Sequence, residues 1–157
     1  MVRSACFTLV GVAGLALGTT AQAKASAAPA LANPSVRLWY EGTGRLSDNI
    51  APPKRVTLWN TIIGEGDARE NANDALFTID LKGAGEQTVS RPLILTATGA
   101  GGKVLASRTL KDVLIGDAGN ATLPLWVRDV GCAGRVVFTA QLGSVKRTVT
   151  LDFKCGE

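Results

Sequence analysis

The segment GEGDARENAND, residues 64 to 74, holds the densest group of potential metal ligands in the sequence. Carboxylate and amide oxygens are the ligands that calcium prefers in proteins. The spacing differs from that of an EF-hand, and Arg69 at the centre weakens the negative charge. The alternative is a solvated connection between two strands. If the segment binds calcium, we expect four ligands: Asp67, Glu70, Asn73 and Asp74.

Catalytic chemistry finds little support in the sequence. The chain contains no histidine, so a nucleophile activated by an imidazole base is excluded. Asp112, Asp117 and Asp129 fall in turns or at strand ends, without the signature of a catalytic carboxylate pair. The sequence therefore predicts a protein that is not an enzyme, has no catalytic residues and needs no cofactor other than the calcium considered above. A hydrolase with an unusual site is the third interpretation.

A Leu-Trp dipeptide occurs three times and accounts for all three tryptophans. Neighbouring side chains on a β-strand point to opposite faces, so the two residues of each pair face opposite ways. Each leucine lies an even number of positions from the aliphatic residues around it and therefore shares their face, the core face. The adjacent indole ring is then expected on the outer face. Tryptophan and arginine are the side chains most enriched at binding hot spots. The candidate binding residues are Arg37, Trp39, Arg55, Trp59, Trp126 and Arg128.

A structural role for these rings is the alternative. A β-bulge reverses the parity of a strand, and a large aromatic side chain is often the core anchor of a small sandwich. A neighbouring arginine can also stack on a ring for stability alone. The exposure of the rings distinguishes a binding face from a core role.

The two cysteines near the carboxyl end, Cys132 and Cys155, stand at the ends of a strictly alternating pattern. Apolar and polar residues alternate on both sides of a Gly-Ser pair that begins at Gly143, which predicts a β-hairpin with a type II′ turn. In that register the numbers of paired residues sum to 287, so the two cysteines face each other. The Cα spacing of ~5.5 Å at such a pair permits a structural disulfide. A redox-active or metal-binding role is the alternative, but the sequence has no C-x-x-C motif and no histidine to complete such a site.

Short alternating or apolar runs, separated by turn-forming residues, continue along the whole chain, and no window has the pattern of a helix. Seven or eight short strands in about 120 residues predict an all-β protein, an antiparallel immunoglobulin-like β-sandwich, with a small closed β-barrel as the alternative. The cysteine and tryptophan pattern of true immunoglobulin domains is absent, so the likeness concerns architecture only. The predicted strands cover residues 35–41, 55–63, 75–82, 91–98, 103–110, 122–128, 134–142 and 145–153.

The first 23 residues have the features of a secretory signal peptide. Arg3 precedes an apolar run that is too short to span a bilayer, and a small-x-small site ends at Ala23. We predict cleavage after Ala23, a flexible leader over residues 24–34 and a single domain over residues 35–157. A retained anchor is the alternative, but no basic stop-transfer cluster follows the apolar run. An exported chain with two cysteines predicts a disulfide-bonded, periplasmic or secreted protein without a stable membrane anchor.

Removing Arg3 with the signal peptide leaves 16 of the 17 basic residues against 13 acidic ones, a net charge of +3. These charges are spread along the chain, and no basic patch indicates a nucleic-acid partner. The sequence therefore predicts an envelope or extracellular protein or glycan as the partner. The leading interpretation is an exported, non-enzymatic binding module, of which an enzyme inhibitor is one form. A calcium-dependent β-sandwich module is the second.

Overall fold

The computed structural model describes residues 28–156, so the predicted signal peptide, its cleavage site and the first part of the predicted leader lie outside the described residues. In this range the chain forms twelve β-strands and two short 3-10 helices, Thr61–Ile63 and Ala100–Gly102. The strands are β1 (Ala30–Leu31), β2 (Ser35–Tyr40), β3 (Arg45–Leu46), β4 (Leu58–Trp59), β5 (Asp74–Lys82), β6 (Gln87–Val89), β7 (Leu93–Thr98), β8 (Val104–Leu110), β9 (Val113–Ile115), β10 (Asn120–Val127), β11 (Gly134–Leu142) and β12 (Val145–Lys154).

The first sheet is built around β5. Strand β10 pairs with one edge of β5 and β2 with the other, and β3 lies outside β2, all antiparallel. Strand β1 continues β2 along the same edge: Leu31 faces Leu81, and Ser35 faces Thr78. From Leu31 to Ser35 the chain advances four residues, while the paired stretch of β5 advances only three. The extra residue forms a β-bulge that contains Pro34, which has no N–H to pair.

The sheet therefore begins before the predicted domain boundary at residue 35. Leu31 is buried in the core, and the backbone N–H of Ala32 donates a hydrogen bond to the carbonyl of Asp80 at 2.9 Å. The second half of the predicted leader is thus part of the folded domain. The leader prediction missed it because this stretch is rich in alanine and proline, a composition typical of flexible segments.

The second sheet has the order β4-β12-β11-β7-β8, with β4 parallel to β12 and the other pairs antiparallel. Strands β11 and β12 form the predicted hairpin, and every pair in it sums to 287. Gly143 has a φ of +59°, as the first central residue of a type II′ turn requires. Cys132 and Cys155 form a disulfide with a Cα–Cα distance of 4.9 Å. Both cysteines are exposed, at the open end of the hairpin.

The two sheets pack face to face to form the core. Phe77 of β5 and Phe138 of β11 are fully buried, and their ring centroids are 5.6 Å apart. Seven strands are six or more residues long, and a further short sheet pairs β6 with β9. The predicted antiparallel β-sandwich is confirmed. The strands of the described residues lie in separate sheets and do not close into the alternative barrel.

The predicted strand over residues 55–63 is wrong except for Leu58–Trp59. Asn60 adopts a left-handed backbone with a φ of 46°, and a 3-10 helix follows as far as Gly64. The β-branched residues of this stretch favour a strand locally, but the turn at Asn60 ends it after two residues. Strands β3, β6 and β9 were not predicted, since runs of two or three residues are too short to show an alternating pattern.

Candidate binding surface

Two of the three tryptophans lie together on the outer face of the first sheet. Trp39 of β2 faces Asp74 of β5, and Trp126 of β10 faces Leu76 of the same strand. Their rings meet edge to face, with a centroid distance of 5.4 Å and an interplanar angle of 66°. Because β2 and β10 flank β5 on opposite sides, the two rings span the central strand.

The leucine that precedes each of these tryptophans points the other way. Leu38 and Leu125 are 1% and 5% exposed, whereas Trp126 is 39% exposed and Trp39 is half-buried. This is the arrangement that the alternating pattern predicts: the aliphatic side chain enters the core and the ring stays on the solvent side. No bulge within β2 or β10 reverses the parity.

Each ring has an arginine in its own row of the sheet, on the far side of β5 and on the same face. Arg37 of β2 faces Leu76, in the row of Trp126. The register of β10, continued by one pair, places Arg128 opposite Asp74, in the row of Trp39. Both arginines are exposed. We call the following four residues the aromatic face: Arg37, Trp39, Trp126 and Arg128.

A short polar network fixes the ring of Trp126. Its Nε1–H donates a hydrogen bond to Oδ2 of Asp74 at 2.8 Å. The backbone N–H of Asp129 donates to Oδ1 of the same carboxylate at 3.1 Å, and the amide of Asn73 donates to Oδ1 of Asp129 at 2.9 Å. The indole N–H is therefore satisfied within the protein, and the flat apolar part of the ring remains available for contact.

The turn between β2 and β3 passes close to the ring of Trp39. Gly44 has a φ of +64°, and a Cβ placed there would lie 3.7 Å from Cη2 of Trp39. Leu46 of β3 faces Trp39 across the ladder and is 38% exposed. The apolar surface thus extends from Trp126 across β5 to the outermost strand of the sheet.

Trp59 and Arg55 lie away from the aromatic face. Trp59 belongs to β4 at the edge of the second sheet, where it pairs with Lys154 of β12 and is 38% exposed. Arg55 precedes β4 and lines a cleft described below. Of the six candidate binding residues, the structure brings four onto one face and leaves two elsewhere.

The four predicted calcium ligands contact three different parts of the chain. Asp67 accepts a hydrogen bond from the backbone N–H of Thr57 at 2.6 Å. Glu70 accepts one from a hydroxyl of the β2–β3 turn at 2.7 Å, and Asn73 and Asp74 bind the end of β10. Within residues 28–156, no group of three or more His, Cys, Asp or Glu side chains is placed to hold a metal ion.

A cleft of about 320 Å³ lies between the β2–β3 hairpin and residues 54–69. The sequence analysis missed it, because the interpretation of residues 55–63 as one strand placed Arg55 on a flat outer face. The cleft depends on a loop that folds back toward the hairpin, and no local pattern in the sequence reports such a contact. Its charged lining residues are Asp48, Lys54, Arg55, Asp67 and Arg69.

Comparison with known proteins gives no family for this chain. No protein-family model matches it, and no curated protein matches it in sequence. Among solved structures, it is similar to a β-glucuronidase of Bifidobacterium dentium complexed with coumarin-3-O-glucuronide, at 17% identity and a TM-score of 0.39. That match covers 80% of this chain, which spans only 18% of the glucuronidase chain. No conclusion about activity follows from a likeness at this level.

Two features of the described chain bear on its location. The Cys132–Cys155 disulfide is of the kind found in proteins of oxidising compartments. Over residues 28–156, the structure contains no helix that is long and apolar enough to cross a membrane.

Proposed function

We propose that the protein is an exported, non-enzymatic binding module that recognises a protein or a glycan through the aromatic face. One observation carries this proposal: Trp39 and Trp126 form an edge-to-face pair on the solvent side of the first sheet, while the adjacent leucines fill the core. The fold therefore does not need these two rings in order to close its core.

Surface tryptophans are unfavourable without a partner, because exposed apolar patches promote association with other chains. Here the rings are held in place before any partner arrives, by the bond from Trp126 to Asp74 and by the edge-to-face contact between the two rings. Side chains that are already ordered lose less conformational entropy on binding. Arg37 and Arg128 add the other side chain type that is enriched at binding hot spots.

Export to the periplasm or the extracellular space is part of the proposal. It is supported by the signal-peptide features of residues 1–23 and by a disulfide between Cys132 and Cys155. Disulfides persist where the surroundings are oxidising.

Affinity capture tests the proposal. Protein produced from the full-length chain is immobilised and exposed to an envelope extract of the source organism and, separately, to a panel of its surface polysaccharides. The wild type should retain a partner that the Trp39→Ala/Trp126→Ala double variant loses, and a folded double variant that retains the same partner would contradict the proposal. Trp59→Ala is the matched control, since Trp59 is as exposed as Trp126 but lies on the other sheet.

A further inference from the structure

The cleft beside the aromatic face has the size and lining of a small binding site. Its volume of about 320 Å³ lies at the lower end of the range of ligand pockets, ~300–1,000 Å³. Leu46 links the cleft to the aromatic face: it lines the cleft, and it faces Trp39 across the β2–β3 ladder. A partner that covers the aromatic face can therefore reach the cleft.

Among the described residues, two of the three cations in the cleft have no carboxylate partner. Lys54 forms an ion pair with Asp48, with an N–O distance of 3.8 Å. Asp67 accepts a hydrogen bond from the backbone instead. Within the described part of the chain, no carboxylate oxygen lies within 4.0 Å of the guanidinium groups of Arg55 and Arg69.

The hydroxyl of Tyr40 adds a neutral donor to the cleft. Its oxygen accepts a hydrogen bond from the backbone N–H of Arg69 at 3.5 Å. No acceptor for the hydroxyl proton is found among the side chains and backbone of residues 28–156. Tyr40 is only 7% exposed, and its hydroxyl, which accepts from Arg69, still has a proton to donate. A ligand in the cleft could supply the acceptor for the Tyr40 hydroxyl proton.

We propose that the cleft binds the carboxylate of a glutamate or aspartate side chain in an acidic peptide segment. A guanidinium group binds a carboxylate through two parallel N–H bonds, which are stronger than bonds between neutral groups. Arg55 and Arg69 supply the charge, and the Tyr40 hydroxyl donates the additional hydrogen bond.

The apolar lining favours a peptide over an acidic sugar. Leu46, Ile50 and Val56 present aliphatic surface to the cleft, which suits the methylene groups of an acidic side chain. A sugar ring is usually met by an exposed aromatic ring face, whereas Tyr40, the aromatic residue of the cleft lining, is only 7% exposed. The flat rings of this protein lie on the aromatic face instead.

Titration with a defined peptide tests the proposal. Isotope-labelled protein from the full-length chain is titrated with tetraglutamate whose termini are blocked, at low ionic strength, and the amide shifts are followed by NMR. The shifts should concentrate in residues 45–56 and 67–70. The Arg55→Gln/Arg69→Gln variant should bind at least fivefold more weakly and Tyr40→Phe about twofold to threefold more weakly, whereas Arg135→Gln, an exposed arginine on the second sheet, should bind as the wild type does.

Three outcomes would overturn the proposal. One is the absence of saturable shifts at millimolar peptide. Another is an equal weakening by Arg135→Gln, which would indicate nonspecific attraction to a basic protein. The third is stronger binding of an oligogalacturonate at the same residues, which would assign the cleft to an acidic sugar. The site does not depend on Trp39 or Trp126, so the affinity capture described above succeeds or fails independently.

Discussion

The indole Nε1–H of Trp126 donates a hydrogen bond to Oδ2 of Asp74 across two neighbouring strands, at a distance of 2.8 Å. The other oxygen of this carboxylate accepts the backbone N–H of Asp129. One side chain of β5 thus fixes both the ring and the chain that follows it. This explains how a tryptophan that is 39% exposed is kept in one orientation on the surface.

Removing the Asp74 carboxylate should release the ring. In a Trp59→Phe background, we expect Asp74→Ala to lower the free energy of unfolding by about 1–3 kcal/mol, because two hydrogen bonds are lost. Acrylamide should quench the fluorescence of the variant more strongly. Asp74→Asn is the control, because it keeps one acceptor oxygen. Its free energy of unfolding and its quenching by acrylamide should lie between those of the wild type and those of Asp74→Ala. Quenching by acrylamide that is identical in the wild type and Asp74→Ala would show that the bond does not orient the ring.

Reduction of the Cys132–Cys155 bridge should lower the stability of the protein. The bridge joins two cysteines with a sequence separation of 23, which corresponds to ~3 kcal/mol in the chain-entropy model. Thermal unfolding with and without reductant should therefore show a fall in Tm of about 10 °C. The Cys132→Ser/Cys155→Ser variant should unfold like the reduced protein. An unchanged melting curve after a thiol assay confirms full reduction would contradict this prediction.

Calcium should not stabilise the protein. Asp67, Glu70 and the Asn73–Asp74 pair bind different parts of the chain, and calcium needs six or more oxygens around one point. A ligand that binds only the native state raises Tm as its concentration increases. We expect the Tm of chelator-treated protein to change by less than about 1 °C in millimolar calcium, beyond the effect of an equal ionic strength of sodium chloride. A saturable rise in Tm would restore the calcium-dependent module.

The sequence predicted those features that depend on local alternation. The β11–β12 hairpin is specified by two alternating runs and the turn at Gly143, so its register and the cysteine pairing followed directly. The same reasoning placed Leu38 and Trp39 on opposite faces of one strand. These predictions succeeded because successive side chains on a strand alternate between its two faces.

The contacts between distant segments could not be predicted in this way. Trp39 and Trp126 meet because β2 and β10 pair with opposite edges of β5. No local sequence pattern predicts this strand order. Trp59 repeats the same dipeptide but lies on the other sheet. The cleft is lined by residues that precede and follow the left-handed turn at Asn60, where β-branched neighbours had favoured a longer strand.

The central claim is that the paired rings serve a partner and are not needed by the core, and denaturant unfolding tests it most directly. We expect Trp39→Ala to lower the free energy of unfolding by about 1–2 kcal/mol, through loss of an edge-to-face contact and partly buried area. We expect Trp126→Ala to lower it by about 1–3 kcal/mol, because this variant also loses the hydrogen bond to Asp74. The matched controls Leu38→Ala and Leu125→Ala, one residue away on the core side, should each lose about 2–5 kcal/mol. Losses of about 3–5 kcal/mol at the tryptophans, equal to or larger than those at the leucines, would show that the rings belong to the core and that the aromatic face is not a binding surface.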